Sequence, residues 1–294
     1  MLRAFLIAST SVMMLWLCYL LPASLCNRQS SSMTSITSRK RATLPSAGPI
    51  ILIASCEAFR HNGYDDACRE TWLKQWPDVI DYRFVYGRGA ENLRADEVLL
   101  DVEDDINSFP SKTQAACAWA SENDYGHSFH CCSDTYVNIP NLLLSGFEAF
   151  DYSGYIIGTE ERLLTPRWSA GRTFKTPPPT RNVQSAQGGA GYWLSPAARK
   201  PVEQTPVPDW TKFAEDVFVG DCVWTAGIPI THSSLYWIWG YRSQAELGGV
   251  QGLDGGPFPE LKNLATVHLS RYDAMHYKKE WMYDIHSRTV RGAR

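Results

Sequence analysis

The sequence lacks any dominance of one charge. Its 28 Lys and Arg nearly cancel its 31 Asp and Glu, for a formal net charge of -3 over 294 residues. No broad basic field is available to hold a nucleic-acid backbone, so nucleic acid is not an expected partner. Neither GxGxxG nor GxxxxGK[ST] occurs, which sets aside a dinucleotide enzyme and a P-loop enzyme. There is no CxxC pair with a His-rich companion, which argues against a zinc cluster. An N-x-[ST] sequon is also missing; this removes one expected mark of a lumenal chain without excluding that compartment. Charge is absent altogether between residues 4 and 27, and no internal repeat is visible.

What is present is enough apolar material for a sizeable core: 44% of residues are hydrophobic and 12% aromatic. This suits one large domain or two closely joined ones. The uncharged stretch contains FLIASTSVMMLWLCYLLPASL, and about 20 such residues suffice to cross a bilayer. Residues 1–26 therefore read as a signal anchor, with a cleaved signal peptide as the alternative because Pro22-Ala23-Ser24 offers small residues for cleavage. Arg28, Arg39, Lys40 and Arg41 outnumber Arg3 on the other flank, so the positive-inside rule taken alone favours the opposite orientation. Residues 27–48 are rich in Ser, Thr and basic residues without apolar periodicity, as in a flexible stem, and the folded domain is expected over 49–294. Of the eight cysteines, all but Cys18 and Cys26 fall in that domain. Disulfides are the expectation for a chain on the secretory route, with the pairing left open.

Along the domain, PIILIASC reads as a central strand covered on both faces, and DDACRETWLKQW as a helix with Asp65 and Asp66 at its start. YRFVYG and EVLLDV read as strands, and SKTQAACAWASEND as an amphipathic helix with Ala115, Ala116 and Trp119 on one side. HSFHCCSDTYV is a further strand, followed by the helix-forming IPNLLL. GYIIG, TPPPT and GGAGYWLSPAA read as a strand, a surface loop, and a Gly-rich turn leading through a strand into a helix. This alternation predicts an α/β sheet with helices on its faces. Ligands in such sheets bind beyond the carboxyl ends of the strands, where Asp134 is placed.

Several motifs then fall in order. SDTYVN, ending HCCSDTYVN at His130–Asn138, resembles the D-D-D-x-[FY]-V-N motif of the beta-1,3-galactosyltransferase, Fringe and core 1 galactosyltransferase group, glycosyltransferase family 31. Only the last aspartate is kept, as Asp134, with Cys132 and Ser133 at the other two positions. EDVFVGDCVWTAGI, from Glu215 to Ile228, resembles the family's E-D-V-x-x-G-x-C-x-x-x-x-G-I segment. GGAGYWLS matches G-x-G-Y-x-L-S through Gly189, Gly191, Tyr192, Leu194 and Ser195, and CRETW looks like I-R-x-T-W. The resemblance runs from about Ile51 to Ile230.

It implies a GT-A-like (Rossmann-like) domain with a mixed central sheet, acting as a metal-dependent, inverting glycosyltransferase. A sugar would pass from a UDP-sugar to a glycan or protein-linked hydroxyl, with a beta-1,3 linkage as the expected product. Asp134 and His268 are the implied ligands of Mn²⁺ or another divalent cation, with His232 as competitor; such a cation stabilises the departing phosphates. Asp216 is the implied general base, beside Glu215 on the acceptor side. Ser133, Gly189, Gly191 and Arg69 are implied on the donor side, Arg69 because a guanidinium suits phosphate. Each also has a plainer reading: a capping Asp134, a helix N-terminus at Glu215 and Asp216, tight turns at the glycines, and a structural Arg69. His130 reads as a core or strand residue, and Lys112 has no assigned role. The implied location is a Golgi or other secretory-pathway membrane with a lumenal catalytic domain, or secretion after cleavage. Two rivals stand: a non-catalytic member acting as a chaperone or glycan-binding module, motivated by Cys132 and Ser133, and a secreted hydrolase using Asp134 and Asp216 as an acid/base pair.

Overall fold

A computed structural model describes residues 48–157, 183–211, 214–237, 260–269 and 278–292. The expected membrane segment, nearly all of the stem, TPPPT, and all of WIWGYRSQAELGGVQGLDGGPFPE except Trp237 and Glu260 lie outside them. Among the described residues, no helix is long and apolar enough to cross a membrane.

Ile50–Ala54 forms strand β1, and its alternation explains the fold's two-sided core. Ile51 and Ile53 point into one apolar cluster with Trp72, Phe129 and Trp193. Ile50 and Leu52 point into another with Val85, Ala116 and Ala120. A strand buried on both faces reads as a continuous apolar run, as expected from PIILIASC. β1 pairs in parallel with β2 (Asp81–Tyr86) on one side and β4 (Ser128–Cys132) on the other. β3 (Glu97–Leu99) extends the sheet beyond β2. Past β4 come β9 (Tyr192–Leu194), β6 (Tyr152–Gly154) and β10 (Ile230–His232), giving seven strands in the order β10-β6-β9-β4-β1-β2-β3. β9 is antiparallel to both of its neighbours. The sheet is therefore mixed and its helices complete a Rossmann-like α/β arrangement.

Chain order reverses direction across the sheet between β1 and β4, a topological switch point of the kind that opens a crevice at the strands' carboxyl ends. A smaller sheet stands beside that crevice: β5 (Thr135–Val137) pairs antiparallel with β12 (Thr266–His268), which pairs with β11 (Tyr236–Trp237). Ile156–Ile157 (β7) and Ser185–Ala186 (β8) form a third, two-stranded sheet.

Seven α-helices complete the described fold: α1 (Glu57–His61), α2 (Tyr64–Cys68), α3 (Phe109–Glu122), α4 (Ile139–Leu143), α5 (Pro196–Gln204), α6 (Glu215–Thr225) and α7 (Glu280–Gly292). α2 runs directly into a π-helical turn at Arg69–Leu73, which buries Thr71, Trp72 and Leu73. The face α3 buries carries Lys112, Thr113, Ala116, Cys117 and Ala120, and the expected Ala115 and Trp119 pack half-buried against the cluster that holds Ala116. Lys112 Nζ reaches inward to Asp104 at 2.5 Å and the Ser55 carbonyl at 2.8 Å.

The disulfide expectation is overturned among the described residues. Cys56, Cys68, Cys117, Cys131, Cys132 and Cys222 are all free thiols. Cys131 and Cys132 are successive residues of β4, so their side chains leave opposite faces of the strand. Cys68 instead donates to the Ser133 carbonyl at 3.2 Å, and Cys117 lies 3.8 Å from His130 Nε2. His130 is a core strand residue, as expected. It stacks on Tyr192 with ring centroids 5.4 Å apart, and burial pushes its pKa down to about 3.

Candidate functional site

The site is built where β4 turns into β5. Ser133 and Asp134 form the turn: Ser133 N–H bonds to the Ala54 carbonyl at 3.2 Å, continuing the β1–β4 ladder by one step. Thr135, Tyr136 and Val137 then extend into the smaller sheet. This split of one expected strand into two places Asp134 at the mouth of the switch-point crevice. The antiparallel register sets His268 opposite Thr135, and Leu269 N–H bonds to the Asp134 carbonyl at 2.9 Å. As a result His268 Nε2 lies 3.3 Å from Asp134 Oδ2, although the two are separated by 134 positions in the chain. Both residues are buried.

The competitor His232 is elsewhere, on β10, where its Nδ1 accepts from Ile156 N–H at 3.1 Å and its ring meets Tyr155. Geometry thus selects His268 as the imidazole beside Asp134.

A 3₁₀ turn at Gly188–Ala190 forms the next wall. It is held by side chains from two β-strands: Thr135 Oγ1 donates to the Gly189 carbonyl at 2.6 Å, and Thr266 Oγ1 to the Ala190 carbonyl at 2.5 Å. Gln187 Oε1 accepts from Ala190 N–H at 2.6 Å. The glycines are needed because the turn touches neighbouring side chains. A Cβ on Gly189 would lie 2.2 to 2.5 Å from atoms of the His268 ring, and one on Gly188 1.7 Å from Glu215 Oε1. Gly191 has φ of +88° and packs on Phe129, so it serves turn geometry as well as packing.

Glu215 and Asp216 enter from the opposite side, in the first turn of α6. Asp216 Oδ2 accepts from Gly188 N–H at 3.3 Å, and Oδ1 from Val217 N–H at 2.8 Å. The helix-terminus reading of these carboxylates is therefore met in part, since Asp216 does satisfy backbone amides. It does so by joining α6 to the same turn that backs His268. Both residues are buried. A narrow cavity runs behind them, bounded by Glu215, Gly188, Cys132, Lys112 and Thr113.

Cys132 stands in the electrostatic reach of this group. Burial raises its thiol pKa well above the ordinary value, and Asp134, Glu215 and Asp216 add to the shift. The thiol is therefore protonated at neutral pH. Ser133 is fully buried, and its Oγ has no hydrogen-bond partner among the described residues.

Arg69 has a different setting. Its Nε donates to Asp96 at 2.8 Å, one terminal amine to Glu97 at 2.7 Å and the other to Asp66 at 3.1 Å. Its guanidinium also lies over the Phe84 ring, 4.2 Å from the centroid. Burial works against its charge, but the bonds to Asp96 and Glu97 more than offset this, and its pKa is raised. Every part of the fork is committed to protein groups, so the structural reading of Arg69 is the one its contacts support.

A divalent cation can be tested against the donor set. Ligands at roughly 2.1 Å from an octahedral ion stand about 3.0 Å apart when adjacent, close to the 3.3 Å between Asp134 Oδ2 and His268 Nε2. One carboxylate and one imidazole also suit Mn²⁺. No cluster of three or more His, Cys, Asp or Glu ligands occurs among the described residues; an ion held by this pair would need its remaining ligands from substrate and water.

Sequence reasoning missed the two threonines that clamp the glycine turn. Thr266 could have been noticed, because it lies two positions before His268 in a strand and so shares its face.

No family model matches this chain, and no curated protein matches it. Among matching solved structures is the inositol-1-phosphate CTP transferase from T. maritima, with 11% sequence identity and a TM-score of 0.39; the match covers 82% of this chain and 96% of that one. Likeness at that level carries no argument about function. What fold and site show together is a mixed α/β protein in which Asp134 and His268 meet where β4 turns into β5.

Proposed function

We propose that the chain is a metal-dependent inverting glycosyltransferase of the GT-A type, moving a sugar from a UDP-sugar to a hydroxyl of a glycan or glycoprotein. The observation that carries this reading is the meeting of Asp134 with His268 at 3.3 Å, with Asp216 anchored to the adjoining glycine turn. These residues were singled out from separate motifs, and a common site is what the resemblance to glycosyltransferase family 31 requires of them.

In this reading Asp134 and His268 hold the divalent cation, which supplies positive charge for the departing diphosphate. Asp216 accepts the proton of the acceptor hydroxyl as its oxygen attacks the anomeric carbon. The bond from that carbon to the diphosphate breaks on the opposite face, and its electron pair leaves with UDP. The bonds from Gly188 and Val217 N–H hold the Asp216 carboxylate in one orientation. Glu215, packed on Gly188, shapes the acceptor side. With a protonated thiol at Cys132 and a hydroxyl at Ser133, the first two positions of the motif bring no negative charge. Metal affinity then rests on Asp134 and His268, and on the donor's phosphates.

A beta-1,3 linkage and a lumenal, membrane-anchored setting are part of the same proposal; the linkage and the lumenal orientation rest on the resemblance, and the anchor on the apolar run within residues 1–26. The neutral pair at Cys132 and Ser133 favours a second reading, a non-catalytic module on the same fold. Assay of UDP-sugar transfer to a panel of glycan acceptors, with Asp216→Asn alongside the parent chain, separates the two. The enzyme reading expects turnover that falls by roughly 100- to 10,000-fold in Asp216→Asn with UDP binding retained. Biological activity that Asp216→Asn leaves untouched, with no transfer by the parent chain, selects the non-catalytic reading.

A further inference from the structure

The turn that presents Asp134 is gripped from outside its own strand. Ser133 N–H bonds to the Ala54 carbonyl at 3.2 Å, and Leu269 N–H to the Asp134 carbonyl at 2.9 Å; both are backbone bonds that do not depend on a particular side chain. A third grip does. Cys68 Sγ donates to the Ser133 carbonyl at 3.2 Å, across 65 positions of chain. That carbonyl belongs to the planar peptide unit that enters Asp134, so turning it would turn the Asp134 side chain relative to His268.

Cys68 is itself held in place. It lies three residues after Asp65 in α2, and residues so spaced share a helix face. Asp65 accepts from Ser55 Oγ at 2.7 and 2.9 Å and from Tyr86 Oη at 2.5 Å. Strand register sets Ala54 opposite Cys132, so Ser55 and Ser133 are the next residues of neighbouring strands. One face of α2 therefore spans the ends of β1 and β4, with Asp65 on Ser55 and Cys68 on Ser133. Cys68 and Ser133 are both fully buried, where a carbonyl stripped of its donor is costly. Both also mark departures from the motifs this chain resembles: cysteine stands at the isoleucine of I-R-x-T-W, and serine at the second aspartate of D-D-D.

We infer that Cys68 is a positioning residue of the cation site: its thiol, through the Ser133 carbonyl, sets the direction in which Asp134 meets His268 and the ion. This deepens the glycosyltransferase reading and rests on the cation site of that reading. Cys68 acts from behind the turn, through the backbone of Ser133. Outer partners of this kind orient the ligands of a metal site, and their loss weakens metal binding although they bind no metal themselves.

The test is titration of MnCl₂ into the full chain in detergent at saturating UDP, followed by the electron paramagnetic resonance of free Mn²⁺, for the parent, Cys68→Ala, Cys68→Val and Cys68→Ser. Alanine leaves a void and valine fills it, but neither donates a hydrogen bond. Serine keeps a donor of similar size. The Ala and Val variants should bind Mn²⁺ about tenfold more weakly, and Cys68→Ser should stay close to the parent. Packing changes in opposite senses in Ala and Val, so a shared loss that serine restores is the mark of the hydrogen bond; either variant decides the outcome if the other fails to fold. Parent-like Mn²⁺ affinity in the Ala or Val variant overturns the inference, as does a Ser variant as weak as these; both results leave the site reading intact. A parent chain that binds no Mn²⁺ with UDP overturns the site reading and the inference together.

Discussion

Beside β2 and at the start of β3, Arg69 is bound to Asp66, Asp96 and Glu97; at the end of β4, Asp134 faces the imidazole of His268. The first cluster closes on itself. Glu97, whose side chain is fully buried, also pairs with Arg60 at 3.0 Å. Asp65 accepts from Ser55 Oγ and from Tyr86 Oη at 2.5 Å; burial raises its pKa despite these bonds. Arg60 and Arg69 are matched by Asp66, Asp96 and Glu97, while Asp65 is held by hydroxyls. At the second place Asp134 meets the imidazole, while Glu215 and Asp216 meet the glycine surface and backbone amides of the adjoining turn. Similar residue types thus divide into a group whose arginines and carboxylates pair with one another and a group that meets glycines, amides and an imidazole.

The largest effect that sharpens this contrast is on stability at the closed cluster. Arg69→Ala strips guanidinium contacts from buried Glu97 and from Asp96, and is expected to cost about 3 to 5 kcal/mol, read as a lowered midpoint in urea unfolding. A loss below about 1 kcal/mol would mean that Arg69 is not spent on structure and would reopen a phosphate-binding role. A smaller effect is expected where the two roles meet. In Gly189→Ala the new methyl collides with the His268 ring, costing about 1 to 3 kcal/mol. Its signature is a shift of the His268 ring resonances and loss of Mn²⁺ binding at a given concentration. Retained Mn²⁺ affinity there would show that the imidazole is not part of the cation site.

Much of this architecture could be read in the chain. The unbroken apolar run of Ile50–Ala54 announces a strand buried on both faces, and HSFHCCSDTYV announces the strand that delivers Asp134. The pattern could not reveal that this run bends at Ser133-Asp134 and feeds a second sheet, because the bend depends on pairing with β12, far away in sequence. His268 was reachable only through the resemblance; its preference over His232 follows from strand register. Arg69, expected on the donor side, meets carboxylates of the chain for a related reason. Its carboxylate partners at Asp96 and Glu97 lie 27 and 28 residues on, and no local pattern states which of two chemically suitable anions a guanidinium will meet. The cysteines, even in number and well spread, suggest disulfides, yet Cys68 and Cys131 share one core cluster and Cys117 and Cys222 another while all remain free thiols. Thr135 and Thr266 look like ordinary strand residues until the glycine turn is set against them.

The central claim is that Asp134 and His268 form a cation site completed by a nucleotide's phosphates. Its most direct test is the melting temperature of the full chain with UDP and Mn²⁺, separately and together, in the parent and in Asp134→Ala. The account predicts a rise that needs both ligands, reaching about 2.7 kcal/mol of added stability at roughly 100 times the dissociation constant, and absent from Asp134→Ala. An equal rise in Asp134→Ala, or no rise in the parent with any UDP and Mn²⁺ combination, would contradict it.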